Sequence, residues 1–237
     1  MSSQTSVPPI VLVHGLWLTP RSWEGWKERF ERRGHQVLAP AWPRMEHEVE
    51  ELRHDPSRLN GLGVGEITDH YAEIIRSLDR PPIIIGHSFG GLVTELLLDR
   101  GLGSAGVAIS PAPVKGVLRI PVAQLRSAFP ALGNPANRKR TVELTPKQFH
   151  YAFTNTMGAD EAQAAYVRYQ VPGPGRVLFQ AAFANFNPKA ATKGAIRKRN
   201  AQDASKVDSI NFHWKTVRHG TGSVSRNVAS RLRKKLV

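Results

Sequence analysis

The stretch PPIIIGHSFGGL, residues 81–92, constrains the fold more than any other part of the sequence. Its β-branched apolar start is typical of a buried strand, and a helical pattern of apolar residues begins directly after Ser88. Between them, Gly86 to Gly90 match G-x-S-x-G. In a strand–turn–helix context this pattern predicts a tight, strained turn, in which the glycines let strand and helix approach and the serine hydroxyl projects from the sheet edge. A capping serine in a glycine-rich turn is the plainer alternative.

Strand and helix signals alternate on both sides of this stretch. The strand signals are short apolar runs, and the helix signals are apolar residues at spacings of three and four. This β-α-β-α order predicts an α/β fold, a mostly parallel sheet with helices on both faces. The predicted strands are 8–15, 35–40, 81–86 and 105–110, and the predicted helices are 19–34, 64–78 and 89–101.

The second half of the chain departs from this alternation. Residues 111–175 are rich in proline and contain no convincing strand, with one helical piece at 159–170, which predicts a lid over the sheet edge. A helical pattern returns at 176–186. The predicted division is an N-terminal core at 1–110, a lid at 111–175, a return helix within 176–192 and an atypical basic tail at 193–237.

The positive charge of the chain is concentrated in that tail. Of the formal net charge of +14, residues 193–237 contribute +10, from 12 Lys and Arg against 2 Asp and Glu. The basicity therefore belongs to the tail, and it does not mark the main domain as a nucleic-acid-binding protein.

The residue types that are absent narrow the possible chemistry and location. The sequence has no cysteine, which excludes disulfides, a thiol nucleophile and cysteine-ligated metals. The start MSSQTSVPP lacks the features of a secretory signal, and no uncharged apolar run reaches the ~20 residues that span a bilayer. The sequence therefore predicts a cytoplasmic protein and leaves its oligomeric state open.

A second glycine-containing turn, HGLW, follows the first predicted strand. Acyl transfer requires two N–H donors directed at the oxyanion of the tetrahedral intermediate. Phe89, directly after the serine, supplies one such amide, and Leu16 is the best candidate for the other, with Trp17 next. We interpret His14 and His87 as structural histidines, His14 through hydrogen bonds to nearby backbone.

The motifs IVLVHGLW and GHSFGGL, with the β-α order between them, resemble the α/β-hydrolase superfamily in its lid-bearing esterase/lipase-like branch. The resemblance covers about residues 8–192. It implies a serine hydrolase that acts on an ester or related small acyl compound, without a metal or organic cofactor. It also implies that Ser88 is the nucleophile and that the Leu16 and Phe89 amides form the oxyanion hole.

The acid and base that a serine nucleophile needs are not clearly present. In this fold they follow the nucleophile on separate strands, which requires about 25 residues between them. The widest Asp-to-His spacing in the tail, Asp203 to His219, is 16 residues, and the tail has no strand-like apolar run. Asp208 with His219 is the best pair, but ordinary polar residues of a loose tail are the favoured interpretation. The strand at 105–110 ends in Ser110 and offers no carboxylate.

Two hypotheses account for the tail. The leading one is a shifted reading frame near residue 193, because charge and periodicity change there abruptly. The protein would then be a catalytically inactive, hydrolase-like protein that lacks its C-terminal strands. The rival is a basic helix that binds nucleic acid or an anionic membrane, for which a solvated, disordered tail is the plainer alternative. The apolar residues of that helix would be Val224, Val228, Leu232 and Leu236.

Several aromatic side chains accompany these motifs and the lid. Each of them either lines an apolar substrate pocket or belongs to the core, and the sequence does not decide between the two. They are Trp17, Trp42, Phe149, Tyr151 and Phe153.

Overall fold

The computed structural model describes residues 7–116 and 131–193, together with the backbone of a strand at 207–210. The strands are β1 (Ile10–Val13), β2 (Val37–Leu38), β3 (Ile83–His87), β4 (Ala105–Ile109), β5 (Thr141–Val142), β6 (Gly173–Pro174) and β7 (Val207–Ile210). Five of them form a parallel sheet in the order β2-β1-β3-β4-β7, whereas β5 and β6 form a separate antiparallel ribbon.

Helices cover both faces of the parallel sheet, and two further helices belong to the segment above it. In the described residues the helices are α1 (Glu24–Glu31), α2 (Val49–His54), α3 (Val64–Arg76), α4 (Phe89–Asp99), α5 (Pro146–Phe153), α6 (Ala159–Tyr169) and α7 (Gly175–Ala182). None of these helices has both the length and the apolar composition required to cross a membrane.

Alternate side chains of the central strands enter two different cores, because neighbouring residues of a strand point to opposite faces. On one face, Ile10 and Leu12 pack against Trp23 and Phe30, which belong to the first helical segment. On the other face, Val11 and its neighbours pack against the apolar sides of α3 and α4. The predicted α/β architecture with a parallel sheet is therefore confirmed.

The first helical segment follows its predicted start. The Thr19 side chain accepts a hydrogen bond from the Arg21 amide (3.3 Å), and Pro20 opens a short 3-10 turn that leads into α1. Gly34 takes a φ of 83° just beyond the helix, a left-handed conformation that glycine adopts without steric cost. The predicted strand 35–40 is shorter than expected, with two residues in β2.

The segment 131–174, which we call the cap, carries the β5–β6 ribbon and the helices α5 and α6. In the ribbon Thr141 pairs with Pro174 and Val142 pairs with Gly173. The prediction that 111–175 contains no strand is therefore wrong. Strands of two residues show no periodicity, and these two form because the chain returns to the same place more than 30 residues later. The predicted domain boundaries stay predictions.

The strand β7 corrects a second prediction, that the tail contains no strand. Residues 207–210 pair in parallel with β4, with Gly106 opposite Val207 and Ile109 opposite Ile210. The sequence VDSI is too short and too polar to stand out as a buried strand. It lies at the end of the described strand order, where pairing on one side through the backbone requires no continuous apolar run.

Candidate active site

The turn between β3 and α4 holds Ser88 in a conformation that few residues adopt. Its φ is 55° and its ψ is −119°, which is backbone strain of the kind that collects at functional sites. Its amide donates to the Ile109 carbonyl (3.0 Å), and its carbonyl accepts from the Leu92 amide (3.2 Å) and the Ala112 amide (3.0 Å). Three backbone hydrogen bonds therefore fix the turn, and the half-buried Ser88 retains access to solvent.

The two outer glycines of the motif have no room for a side chain. A Cβ on Gly86 would overlap the Gly90 carbonyl group, and a Cβ on Gly90 would overlap the Val13 carbonyl group. The predicted reason for these glycines, the close approach of strand and helix, is confirmed. The pattern G-x-S-x-G is thus required by packing as well as by the turn itself.

The HGLW loop lies directly against this turn. A Cβ on Gly15 would stand 3.2 Å from the Ser88 Cβ and 3.1 Å from the His87 carbonyl oxygen. The following residues, Leu16 and Trp17, are almost fully buried, and Trp17 has a φ of 65°. A positive φ is rare for a residue as bulky as tryptophan, so this loop is strained as well.

Of the two amides predicted for an oxyanion hole, one belongs to the helix that follows the serine and the other to the loop that packs against its turn. The Phe89 amide is the first of α4, where helix geometry provides no intrahelical acceptor and favours negative charge. The Leu16 amide belongs to the loop whose Gly15 touches the turn. Across the described ranges neither amide donates a hydrogen bond to a protein acceptor.

His14 is a structural histidine, as predicted. Its Nδ1 lies 3.0 Å from the Gly15 carbonyl oxygen and donates to it, and its Nε2 accepts from the Trp42 amide (3.2 Å). The ring also stacks on Trp42, at 5.0 Å between ring centroids. Complete burial lowers the pKa of His14 to about 4, because the charged form loses its hydration. His14 is therefore neutral near pH 7, and both ring nitrogens are already engaged.

His87 is also unsuited to act as a base at neutral pH. It precedes Ser88, and desolvation lowers its pKa to about 4. The His87 Nδ1 and the Ser88 Cβ both face Gly15, since a Cβ on Gly15 would stand 3.5 Å from the first and 3.2 Å from the second. The low pKa makes His87 a weak base, and its interpretation as a structural residue stays a prediction.

Within the described residues, the structure does not place the predicted acid and base beside Ser88. Asp208 in β7 pairs with Val107 in β4. Two residues further along β4, Ile109 pairs with His87 on one side and with Ile210 on the other. Asp208 thus precedes the level of the serine by three residues, or about 10 Å at 3.3 Å per residue. His219 lies outside the described residues, as do Asp203 and the apolar positions of the predicted basic helix.

The aromatic residues near the site divide between core and surface. Trp42 is buried beneath His14, and Phe149 is buried in the cap, where it stacks on Phe153 (4.9 Å) and meets Tyr166 edge-on. Tyr151 is exposed. For Trp42 and Phe149 the core interpretation therefore holds, and the acyl pocket cannot be assigned to them.

One surface groove, of about 600 Å³, lies between α6 and the segments around α1 and α2. Arginine and acidic side chains both line it, and Ser88 does not. Its arginines are already paired, Arg21 with Glu48 and Arg168 with Glu24. This groove is therefore separate from the serine turn.

Solved structures with the same fold include several hydrolases. An extracellular alpha/beta-hydrolase from Paenibacillus is 20% identical, with a TM-score of 0.61 over 97% of this chain and 98% of that one. Polyneuridine aldehyde esterase is 16% identical (TM-score 0.56, 97% and 99%). Tomato methylketone synthase I, solved with 2-tridecanone, is 14% identical (TM-score 0.59, 97% and 97%). At these identities the likeness concerns the fold.

Sequence comparison is more specific about the family. No curated protein sequence matches the chain significantly. The family model described as "Alpha/beta hydrolase family" matches residues 10–203, which include both strained turns and the whole described cap. The resemblance predicted from GHSFGGL and HGLW is confirmed, and the chain belongs to the alpha/beta hydrolase family.

Proposed function

We propose that this protein is a serine hydrolase that cleaves carboxylic esters or related acyl compounds through Ser88. The Ser88 Oγ attacks the acyl carbonyl carbon and loses its proton to a base, while the carbonyl oxygen becomes an oxyanion held by the Leu16 and Phe89 amides. The alcohol leaves with a proton, and water then releases the acyl group. The observation that carries this proposal is the strained Ser88 turn with the HGLW loop packed against it, while the Leu16 and Phe89 amides have no acceptor among the described residues.

Several features support an ester-type, small-molecule substrate. The site combines a nucleophile with amide donors, which suits a carbonyl group, and the surrounding loop and cap residues are apolar. Among structures of the same fold, one is an esterase and another was solved with the ketone 2-tridecanone. A small acyl substrate with an apolar chain is the simplest one that agrees with these features.

We keep His219 as the proposed base and Asp208 as the proposed orienting acid. The strand position of Asp208 argues against it, because a triad acid has to lie near the level of the nucleophile. Replacing the acid of such a triad by its amide lowers kcat by about 10⁴-fold in a well-studied case. An Asp208→Asn loss of that size would support the pair, whereas a loss below about threefold would remove Asp208 from it.

A second candidate function is binding of acyl compounds without turnover. It is favoured by a specific observation: burial lowers the pKa of both histidines next to the two turns to about 4, so both are weak bases, and both ring nitrogens of His14 are already engaged. This is the inactive, hydrolase-like protein that a shifted reading frame would produce. If no other frame of the coding DNA encodes apolar strands with an Asp and a later His, the frame-shift hypothesis is wrong.

A fluorophosphonate probe separates the two candidates. We expect the wild-type protein to be labelled and to hydrolyse p-nitrophenyl esters, and Ser88→Ala to lose both activities by at least about 10³-fold. Binding of an apolar ester without labelling or hydrolysis would instead support the binding protein. Labelling that survives in Ser88→Ala would place the reactive residue elsewhere.

We also propose a cytoplasmic location. Binding of DNA or anionic vesicles through the tail is tested by its salt dependence, which should be steep and should disappear when residues 193–237 are deleted.

A further inference from the structure

The cap is hydrogen-bonded to the HGLW loop through Trp17. The Trp17 indole N–H donates to the Val142 carbonyl in β5 (3.0 Å), and the Trp17 carbonyl accepts from the Val171 amide just before β6 (3.1 Å). Strand β5 and the segment that leads into β6 are therefore connected to the same residue, one through its side chain and one through its backbone. The partners are 125 and 154 positions away in the sequence.

The ribbon also packs against the loop at very short range. A Cβ on Gly173 would stand 2.7 Å from the Leu16 Cδ1 and 3.0 Å from the Trp17 Cδ1. A side chain at this position in β6 would therefore force the Leu16 and Trp17 side chains to shift. Leu16 is 2% exposed and Trp17 is 6% exposed, so the cap closes over both side chains.

These contacts hold the Trp17 backbone in a conformation that is unfavourable by itself. The φ of 65° at Trp17 costs of order 1–3 kcal/mol for a non-glycine residue, and such conformations persist only where the surroundings enforce them. The peptide bond before Trp17 carries the Leu16 carbonyl, and the peptide bond before that carries the Leu16 amide. Rotation at Trp17 therefore changes where the Leu16 amide points.

We infer that Trp17 is a positioning residue: the cap ribbon, acting through the Trp17 indole and carbonyl, sets the direction of the Leu16 amide. The cap is then part of the oxyanion hole, in addition to covering the sheet edge. This inference rests on the proposed function for its catalytic consequence, but its structural content, that the ribbon orders the HGLW loop, stands independently of activity.

The test replaces the donor while keeping an aromatic ring. Trp17→Phe removes the N–H that binds the Val142 carbonyl. We expect the rate of fluorophosphonate labelling and the kcat for an ester to fall about tenfold with KM within twofold of wild type, less than the ~100-fold or greater loss for removing an oxyanion donor. Gly173→Ala approaches the same loop from the cap, and we expect a loss of about threefold.

A matched control is Trp23→Phe. Trp23 is as buried as Trp17, but its indole N–H has no hydrogen-bond partner in the part of the chain that the structure describes. It belongs to the core on the opposite face of the sheet. The control loses similar ring volume, so we expect a comparable change in thermal stability and an unchanged labelling rate.

Hydrogen–deuterium exchange of the peptide that contains residues 14–18 provides a readout that does not require activity. We expect faster exchange in Trp17→Phe and wild-type exchange in Trp23→Phe. If the wild type is not labelled at all, the proposed function fails, and the exchange measurement alone decides the inference. Wild-type exchange in Trp17→Phe would overturn it, and so would a wild-type labelling rate in an active protein.

Discussion

The turn at Ser88 and the cap above it are held in place by different kinds of contact. Around the turn the contacts are between backbone atoms. Gly86 packs closely against the Gly90 carbonyl group, and Gly90 packs closely against the Val13 carbonyl group. The Ser88 amide donates to the Ile109 carbonyl. No atom can be added there without overlap. The turn is consequently specified by a few adjacent residues and by the strands beside it.

The cap shares the apolar core, and polar side chains that reach across long sequence separations hold it as well. Arg53 donates to the carbonyls of Tyr166 (2.8 Å), Val167 (3.0 Å) and Gln170 (3.0 Å) at the end of α6, where the Tyr166 carbonyl also accepts from the Gln170 amide. Just outside the cap, the Gln180 side chain in α7 accepts from the Val64 amide (2.8 Å) at the start of α3. We expect side-chain anchors of this kind to tolerate substitution better than the backbone contacts of the turn.

This difference indicates where the molecule tolerates change. The turn requires particular residues at particular positions, so a single added methyl group is expected to unfold it. The cap has several separate anchors, each of which contributes a modest free energy, so the loss of one is expected to weaken the cap without disrupting the sheet.

The largest expected effect follows from adding a methyl group at the turn. Gly90→Ala places a Cβ inside the Val13 carbonyl group, so strand and helix have to separate. We expect the free energy of unfolding to fall by more than about 4 kcal/mol, measured by urea denaturation. Gly65→Ala is the control, because its Cβ meets no atom within 4 Å at the start of α3 and should stabilise by up to about 1 kcal/mol.

If Gly90→Ala retained its stability within about 1 kcal/mol, the close approach of β1 and α4 would be wrong. The contrast between the turn and the cap would then disappear, since both regions would accept added atoms. The control guards against a general effect of replacing glycine in a helix.

The second effect concerns Glu95, a buried carboxyl two turns after Ser88 on α4. Burial raises its pKa to about 7, and in the described part of the chain it forms no ion pair. Below about pH 4.5 it is protonated in both folded and unfolded states. Between pH 4.5 and 7 only the folded state keeps the proton, so the free energy of unfolding falls as pH rises, by up to about 3 kcal/mol.

Glu95→Gln should remove this dependence. We expect the variant to match the wild type at pH 4 and to exceed its stability at pH 8, measured by urea denaturation at both values. Glu73→Gln, at an exposed position on α3, is the control and should leave the pH dependence unchanged. Equal pH profiles for Glu95→Gln and wild type would mean that the carboxyl is hydrated or paired.

The same contrast explains what the sequence could predict. The order of strands and helices, the glycines of the turn and the Thr19–Pro20 helix start follow from patterns within a few residues. The role of His14 could be predicted, but its partner could not, since the Trp42 amide is 28 residues away. For the same reason Trp42 could not be assigned to pocket or core, and the ribbon β5–β6 was not predicted.

The strand β7 shows a further limit. Its residues carry no strong strand signal, and its position follows from the free edge that β4 offers. The sequence therefore predicted a tail without strands, and it paired Asp208 with His219 by spacing alone. Pairing register is a property of two distant segments, so the level of Asp208 relative to Ser88 could only be obtained from the structure.

The third expected effect concerns Arg53, which anchors the cap. Arg53→Met removes the charged donor from three carbonyls at the end of α6, of which Tyr166 keeps the Gln170 amide, and we expect a loss of about 2 kcal/mol, as for hydrogen bonds made by a charged group. Arg53→Lys should restore part of it, because lysine keeps the charge and lacks the planar fork. The measurement is urea denaturation, with the exposed Arg29→Met as control. A loss above about 4 kcal/mol would mean that the cap depends on a single anchor.

The smallest effect is expected at the ion pair between the cap and α1. Arg168 contacts Glu24 through two nitrogens (2.6 and 3.1 Å), and the Tyr169 hydroxyl donates to the same carboxylate (2.8 Å). Both charged side chains are about half exposed, at 52% and 45%, so solvent screens their attraction. A double-mutant cycle of Glu24→Gln with Arg168→Met should therefore give a coupling below about 1 kcal/mol, and this coupling should shrink in 1 M NaCl.

The cycle tests the contrast between the turn and the cap, because the Arg168–Glu24 ion pair has favourable geometry but a low expected coupling energy. A coupling above about 2 kcal/mol would show that the cap is held by this cluster more than by Arg53, and that the cap closes as one cooperative unit. A small, salt-sensitive coupling supports the opposite arrangement, in which many weak anchors let the cap adjust while the turn beneath it stays fixed. In that arrangement the contacts at Trp17 are where a cap movement would reach the Leu16 amide.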